Sequence, residues 1–170
     1  MDYLIVVDMQ KDFVNGSLGT PEAEAIVASV RQKILSHRGP LIFTRDTHPE
    51  SYLNTQEGRH LPVPHCIRGS EGWEIIPELK DLTEGALILD KPSFGSTVLA
   101  ALLAEKRQEI SRVELIGLCT DICVISNALL IKAALPEVPL KVDSACCAGV
   151  TPEKHEAALA VMRSCQIEVI

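Results

Sequence analysis

The feature that most constrains the fold of this chain is its alternation of short, continuously apolar runs with stretches of helical periodicity. The apolar runs are Tyr3–Val7, Leu41–Thr44, Ala86–Leu89, Val113–Gly117, Leu140–Val142 and Ile167–Ile170. A strand with one wet face alternates apolar and polar residues, whereas a short run that is apolar throughout belongs to a strand covered on both faces. Helix signals lie between the runs. Thr20-Pro21-Glu22 supplies an N-cap, a proline at the first helical position and an early acid, ahead of a pattern that reaches Ser36. Thr151-Pro152-Glu153 repeats that start before a helix running to Ser164, and two more helices fit Ser96–Lys106 and Thr120–Ala134. Such alternation requires right-handed crossovers and therefore parallel strands. The expected fold class is α/β, a single doubly wound, mostly parallel sheet of about six strands with helices on both faces.

The chain has 170 residues, a common size for one domain, and no repeat, linker or low-complexity tract divides it, so residues 1–170 are expected to form one domain. A net charge of -7 disfavours a nucleic-acid partner, since phosphate binding needs a basic footprint. The opening MDYLIVVDMQ lacks the basic and small-residue regions of a signal peptide, and no apolar run is long enough for a membrane span. A cytoplasmic location is the resulting expectation, and none of the six cysteines forms C-x-x-C, so neither a disulfide framework nor a zinc knuckle is expected.

Ligands of doubly wound sheets bind beyond the carboxyl ends of the strands, where the strand order reverses. The residues found there are Asp8, then Asp46, then Lys91, then the segment G-L-C-T-D-I-C, then Asp143-Ser144. With the common order 3-2-1-4-5-6, strands one and four are neighbours, and Asp8 faces Cys123 across the switch point. Cys123 lies near the start of the helix after strand four, where the helix dipole and the charge of Lys91 favour a thiolate. Asp8 is placed to take the thiol proton and return it to a leaving amine, and the backbone amides of Cys119 and Cys123 are candidates for an oxyanion hole.

Three segments carry a family resemblance: D-M-Q-K-D-F at 8–13, D-K-P-S-F-G-S at 90–96 and G-L-C-T-D-I-C-V at 117–124. In order and spacing they resemble the signature segments of the isochorismatase-like cysteine hydrolases, nicotinamidase-type branch, over essentially the whole chain. The resemblance implies Cys123 as nucleophile, Asp8 as acid and base, Lys91 as electrostatic stabiliser, and a cis peptide at Leu118–Cys119. It implies an amidohydrolase acting on a small carboxamide, nicotinamide to nicotinate plus ammonia, through a cysteine thioester, in a homo-oligomer. The alternatives are a related amidase or carbamoyl hydrolase, and a non-catalytic α/β binding module.

The long, polar segment Thr47–Leu79, punctuated by prolines, has no sustained period, and such loops inside compact domains usually serve function. Asp46-x-His48 followed by the distant P-H-C with His65 resembles the metal site of the nicotinamidase branch. That resemblance implies a divalent metal, zinc, with manganese and iron as alternatives, and Glu57 and His60 as candidate additional ligands. His37 and His155, in helical contexts, are expected to be solvated. The chain departs from the branch at Pro62, where an aromatic residue usually stacks on the substrate ring. Phe13, close behind the acid motif, is the leading substitute for that wall, with Phe94, Tyr52 and Trp73 behind it.

Overall fold

The computed structural model describes residues 1–170. Its strands are β1 (Asp2–Val7), β2 (Leu41–Asp46), β3 (Leu87–Lys91), β4 (Arg112–Leu118), β5 (Leu140–Ala148) and β6 (Glu168–Val169). Every pairing is parallel, and the spatial order is β3-β2-β1-β4-β5-β6, so the chain reverses direction across the sheet between β1 and β4. The helices are α1 (Lys11–Val14), α2 (Pro21–Ala25), α3 (Val27–Ser36), α4 (Gln56–His60), α5 (Pro77–Lys80), α6 (Thr97–Glu105), α7 (Ile125–Ala134) and α8 (Pro152–Ser164).

Because side chains alternate along a strand, β1 supplies two cores at once. Tyr3, Ile5 and Val7 join Val113 and Leu115 of β4 beneath Leu99 and Leu103 of α6, Ile131 of α7 and Leu159 and Met162 of α8. Leu4 and Val6 join Phe43 and Ile116 on the other face, beneath Val30 and Ile34 of α3. Helices thus cover both faces, as the continuously apolar runs require. The two Thr-Pro-Glu starts form as read: Thr20 accepts from the Ala23 amide at 3.1 Å, and Thr151 accepts from the Lys154 amide at 3.3 Å.

Four local expectations need correction. The run Ala86–Leu89 forms an edge strand, so Leu87 and Ile88 remain exposed instead of being covered on both faces. The helix read from Thr20 to Ser36 is broken at Ile26 into α2 and α3. The helix read from Thr120 opens with a π-helical turn, Thr120–Val124, in which the Val124 amide reaches back to the Cys119 carbonyl at 3.0 Å. The segment Thr47–Leu79 contains the short helices α4 and α5, and is tied to the sheet by a bridge between His48 and Ile67.

Two backbone features shape the carboxyl end of the sheet. Gly117 has φ +113°, and a Cβ there would lie 2.2 Å from the Val7 carbonyl oxygen, so only glycine lets β4 close on β1. Asp8 leaves β1 in the left-handed region at φ 47°, which turns its side chain away from the path of the strand. No helix is long and apolar enough to cross a membrane.

Candidate active site

The carboxyl ends of β1 and β3 and the turn after β4 bring Asp8, Lys91 and Cys123 together at the switch point, all of them buried. Lys91 Nζ lies 2.6 Å from Asp8 Oδ2, 3.3 Å from Cys123 Sγ and 3.3 Å from Asp46 Oδ1. The Ser93 carbonyl accepts a further hydrogen bond from it at 3.1 Å. The other carboxylate oxygen, Asp8 Oδ1, accepts from the Thr44 hydroxyl at 2.6 Å, which fixes the plane of the group. Asp8 Oδ2 has the lysine charge beside it but makes no well-aligned hydrogen bond.

Burial dominates the titration of these groups. It pushes the Asp8 carboxyl up, and the Lys91 charge offsets only part of that rise. Burial works against a charged Lys91, but the neighbouring Asp8, Cys123 and Asp46 overcome it and hold the ammonium well above its ordinary value. The Cys123 thiol is raised by burial and then by Asp8, against the downward pull of Lys91. Burial therefore opposes the thiolate that the helix start and the Lys91 charge favour. Burial also pushes Cys119 up to about 12, so acidity does not single out one thiol. Geometry does, because Cys123 has the lysine ammonium 3.3 Å away.

The Leu118–Cys119 peptide is cis, as the family resemblance implies. Cys119 precedes the π-helical turn, and its N–H makes no hydrogen bond to backbone or side chain, which leaves it free beside the cavity that Cys119 and Cys123 both line.

A second cluster stands beside the first. One ligand atom each from Asp46, His48, Glu57 and His65 lies within 4.8 Å of the others. Asp46 Oδ2 is 2.9 Å from His48 Nε2 and 3.6 Å from His65 Nε2. His65 Nδ1 donates to the Val63 carbonyl at 2.8 Å, which turns Nε2 toward the cluster. Burial pushes the Asp46 carboxyl up, but hydrogen bonds from the two histidines and the charge of Lys91 hold it well below the usual range. Two imidazoles and two carboxylates around one point are a donor set for a zinc-like divalent ion. Glu57 joins the cluster and His60 does not: its Nδ1 donates to the Gln56 carbonyl at 2.8 Å on the exposed side of α4.

The residues that hold this cluster were missed in the sequence, although the D-M-Q-K-D-F segment contains two of them. Gln10, fully buried, accepts from the Asp46 amide at 2.7 Å and donates to the Asp46 carbonyl at 2.8 Å. Asp12 Oδ2 accepts from the Cys66 amide at 2.8 Å, beside His65. Tyr52, also buried, packs its ring 4.7 Å from that of His48 and 5.0 Å from that of His65. A polar side chain two residues from a motif acid gives no sign, in sequence, of which distant backbone it meets.

Both clusters open on one cavity of about 280 Å3. Phe13, Leu61, Leu118 and Ile122 are among the apolar residues of its wall, and Phe94, Val150 and Lys154 stand at its other side. Phe13 is there as expected, its ring 5.5 Å from that of His65. Trp73 is not: it lies beneath the Arg45 guanidinium, 3.6 Å from the ring centroid, and donates to the Thr47 hydroxyl. Pro62 is exposed and outside the cavity, and its neighbour Leu61 supplies the wall instead. His155 is not simply solvated, because its Nδ1 meets the Thr120 hydroxyl at 2.7 Å at the base of the π-helical turn. His37 is half-buried, with Nε2 3.3 Å from the Pro40 carbonyl.

The isochorismatase domain family matches residues 2–170, and the chain belongs to that family. Within it, the chain is a hydrolase of the nicotinamidase-type branch. The pyrazinamidase of Pyrococcus horikoshii, solved in complex with zinc, is 31% identical, with a TM-score of 0.85 over 99% of this chain and 98% of that one. The pyrazinamidase/nicotinamidase of Streptococcus mutans UA159 is 26% identical, with a TM-score of 0.86 over 100% of both chains. The nicotinamidase of Acinetobacter baylyi is 28% identical over 158 residues, which cover 74% of this chain and 72% of that one.

Proposed function

We propose that residues 1–170 act as one amidohydrolase domain that cleaves a small carboxamide, nicotinamide foremost, to the carboxylate and ammonia through a thioester on Cys123. The observation that carries this reading is the buried Asp8–Lys91–Cys123 cluster, whose thiol opens on a cavity also lined by Asp46, Glu57 and His65 of the neighbouring cluster. Asp8 Oδ2 takes the thiol proton as the sulfur attacks the carbonyl carbon. The oxyanion rests on the backbone amides of Cys119 and Cys123, and Asp8 returns the proton to the amide nitrogen as the C–N bond breaks and ammonia leaves. Water then attacks the thioester with Asp8 again as base, the S–C bond breaks, and the sulfur recovers its proton. Lys91 stays charged throughout and stabilises the anions on either side of it.

The cluster of Asp46, His48, Glu57 and His65 would hold a divalent ion, zinc first among the candidates. Such an ion supplies a Lewis-acid anchor for a ring nitrogen beside the scissile amide. Phe13 supports the ring from one side. A second reading, another amide or a carbamoyl compound as substrate, is favoured by one observation: Leu61 stands where an aromatic wall would be, and gives no stacking preference for a pyridine. A non-catalytic binding module would not require the complete buried charge cluster. The six free cysteines support a reducing, cytoplasmic setting, and Leu87 and Ile88 on the open edge strand support self-association.

The experiment is ammonia release from nicotinamide, benzamide and an aliphatic amide. The expected order puts nicotinamide well ahead of benzamide, which has the same shape without the ring nitrogen. Equal rates on both would remove the metal from substrate recognition, and turnover of the aliphatic amide alone would move the chain to the second reading.

A further inference from the structure

The catalytic reading uses three side chains, and a fourth buried polar group behind them has no part in it. Asn127, on the first turn of α7, is fully buried, and its amide makes three hydrogen bonds. Nδ2 donates to the Cys123 carbonyl at 2.8 Å and to the Phe94 carbonyl at 3.2 Å, and Oδ1 accepts from the Ser96 amide at 2.9 Å. The orientation of the amide is fixed by its partners: reversed, it would set an oxygen against two carbonyls and an NH2 against an N–H. Ser96 is the N-cap of α6, where the amide has no helical partner of its own, and Phe94 lies in a segment without regular structure.

We propose that Asn127 is a positioning residue that clamps the 92–96 loop to the nucleophile turn, and so fixes Lys91 against Cys123 and Phe94 against the cavity. The connection runs through named contacts. Lys91 Nζ donates to the Ser93 carbonyl inside the clamped loop while lying 3.3 Å from Cys123 Sγ. The same loop carries Phe94, which is 43% exposed and lines the cavity. Asn127 therefore joins three things that the cleavage reaction needs in register: the sulfur, the ammonium and one wall for the substrate. An apolar residue would fill the space in a helix interior equally well, but it would leave two carbonyls and one N–H without partners.

This inference rests on Cys123 as the reactive thiol, and the test separates the two ideas by reading the thiol directly. In Asn127→Ala, the rate of Cys123 alkylation by iodoacetamide is followed against pH, together with kcat and KM for nicotinamide. Loss of the clamp lets Lys91 drift, so the alkylation midpoint moves to higher pH, kcat falls about tenfold or more, and KM rises as Phe94 loosens. Asn127→Asp, which keeps the acceptor for Ser96 and lacks both donors, shows the same direction. A residue of purely structural importance would lower the melting temperature and leave the midpoint and kcat per folded molecule unchanged; that outcome overturns the proposal. Should neither variant fold, hydrogen exchange in the unaltered protein decides: the Ser96 amide is protected if Asn127 holds it, and rapid exchange there refutes the clamp. If alkylation of Cys123 left turnover intact, the nucleophile reading itself would fail, whatever Asn127 does.

Discussion

Replacing Lys91 with methionine probes the arrangement at its most loaded point. Lys91 is 0% exposed, touches both Asp8 and Asp46, and is the only cationic side chain in contact with Asp8. Methionine keeps a stem of similar length and removes the charge, so Asp8 loses its only cationic partner while Asp46 keeps His48 and His65. Removing one member of a buried ion pair costs about 3–5 kcal/mol, because the remaining charge is left without compensation. For a chain of this length each kcal/mol lowers the melting temperature by about 2–4 °C, so the expected drop is roughly 6–20 °C at pH 8. The drop should depend on pH with a definite sign. Asp8 is already raised above its ordinary 3.8 by burial, and without Lys91 it rises further. An acid with a raised folded pKa contributes stability below its unfolded value and loses it as pH climbs through the folded value. The deficit is therefore largest at pH 8 and shrinks toward pH 5. Loss of the ammonium also removes the charge that favours an ionised Asp8 and stabilises anions at the sulfur, so amide turnover falls about a hundred- to ten-thousandfold. Thermal melts at pH 5 and pH 8, with ammonia release at pH 8, measure both effects. A melting temperature within 2 °C or so of the parent at both pH values, with activity within tenfold, would refute the buried-pair account.

The purified protein should carry about one divalent ion per chain by elemental analysis, and His48→Ala should lose it, since imidazoles dominate such sites. Absence of metal in the parent even after incubation with zinc or manganese would remove the cluster from the chemistry. Leu61→Trp should lower KM for nicotinamide by up to about tenfold, as a stacking wall contributes about 0.5–1.5 kcal/mol beyond area burial. The exposed Pro62→Trp should leave KM unchanged, and the reverse result would mean that Pro62 and not Leu61 faces the ring.

Much of this architecture can be read in the chain because it rests on local rules. The strand runs, the two Thr-Pro-Glu caps and the reactive residues just past strand ends follow from periodicity, capping and the geometry of doubly wound sheets. Where tertiary contacts decide, the reading fails. Leu87 and Ile88 resemble core residues until β3 proves to lie at the edge of the sheet. Leu61 and Pro62 are adjacent, and the turn of the chain after α4, not composition, decides which one faces the cavity. Glu57 and His60 stand on the same short helix, and only its orientation brings the carboxylate to the cluster and turns the imidazole outward. The helix start and lysine charge that favour a Cys123 thiolate are visible in sequence, whereas the full burial that opposes it is not. Gln10 and Asn127 escape for a related reason: Gln10 bonds the backbone of Asp46, and Asn127 that of Phe94 and Ser96, dozens of residues away.

The central claim is that Cys123 forms the covalent bond to substrate, and turnover of Cys123→Ala tests it most directly. Beside it, Cys119→Ala is the natural control, because that thiol lines the same cavity but has no contact with Lys91. The account predicts that ammonia release from nicotinamide falls about a thousandfold or more in Cys123→Ala, the scale expected when a covalent nucleophile is lost, while Cys119→Ala stays active. Near-parental turnover by Cys123→Ala, with loss in Cys119→Ala, would contradict it.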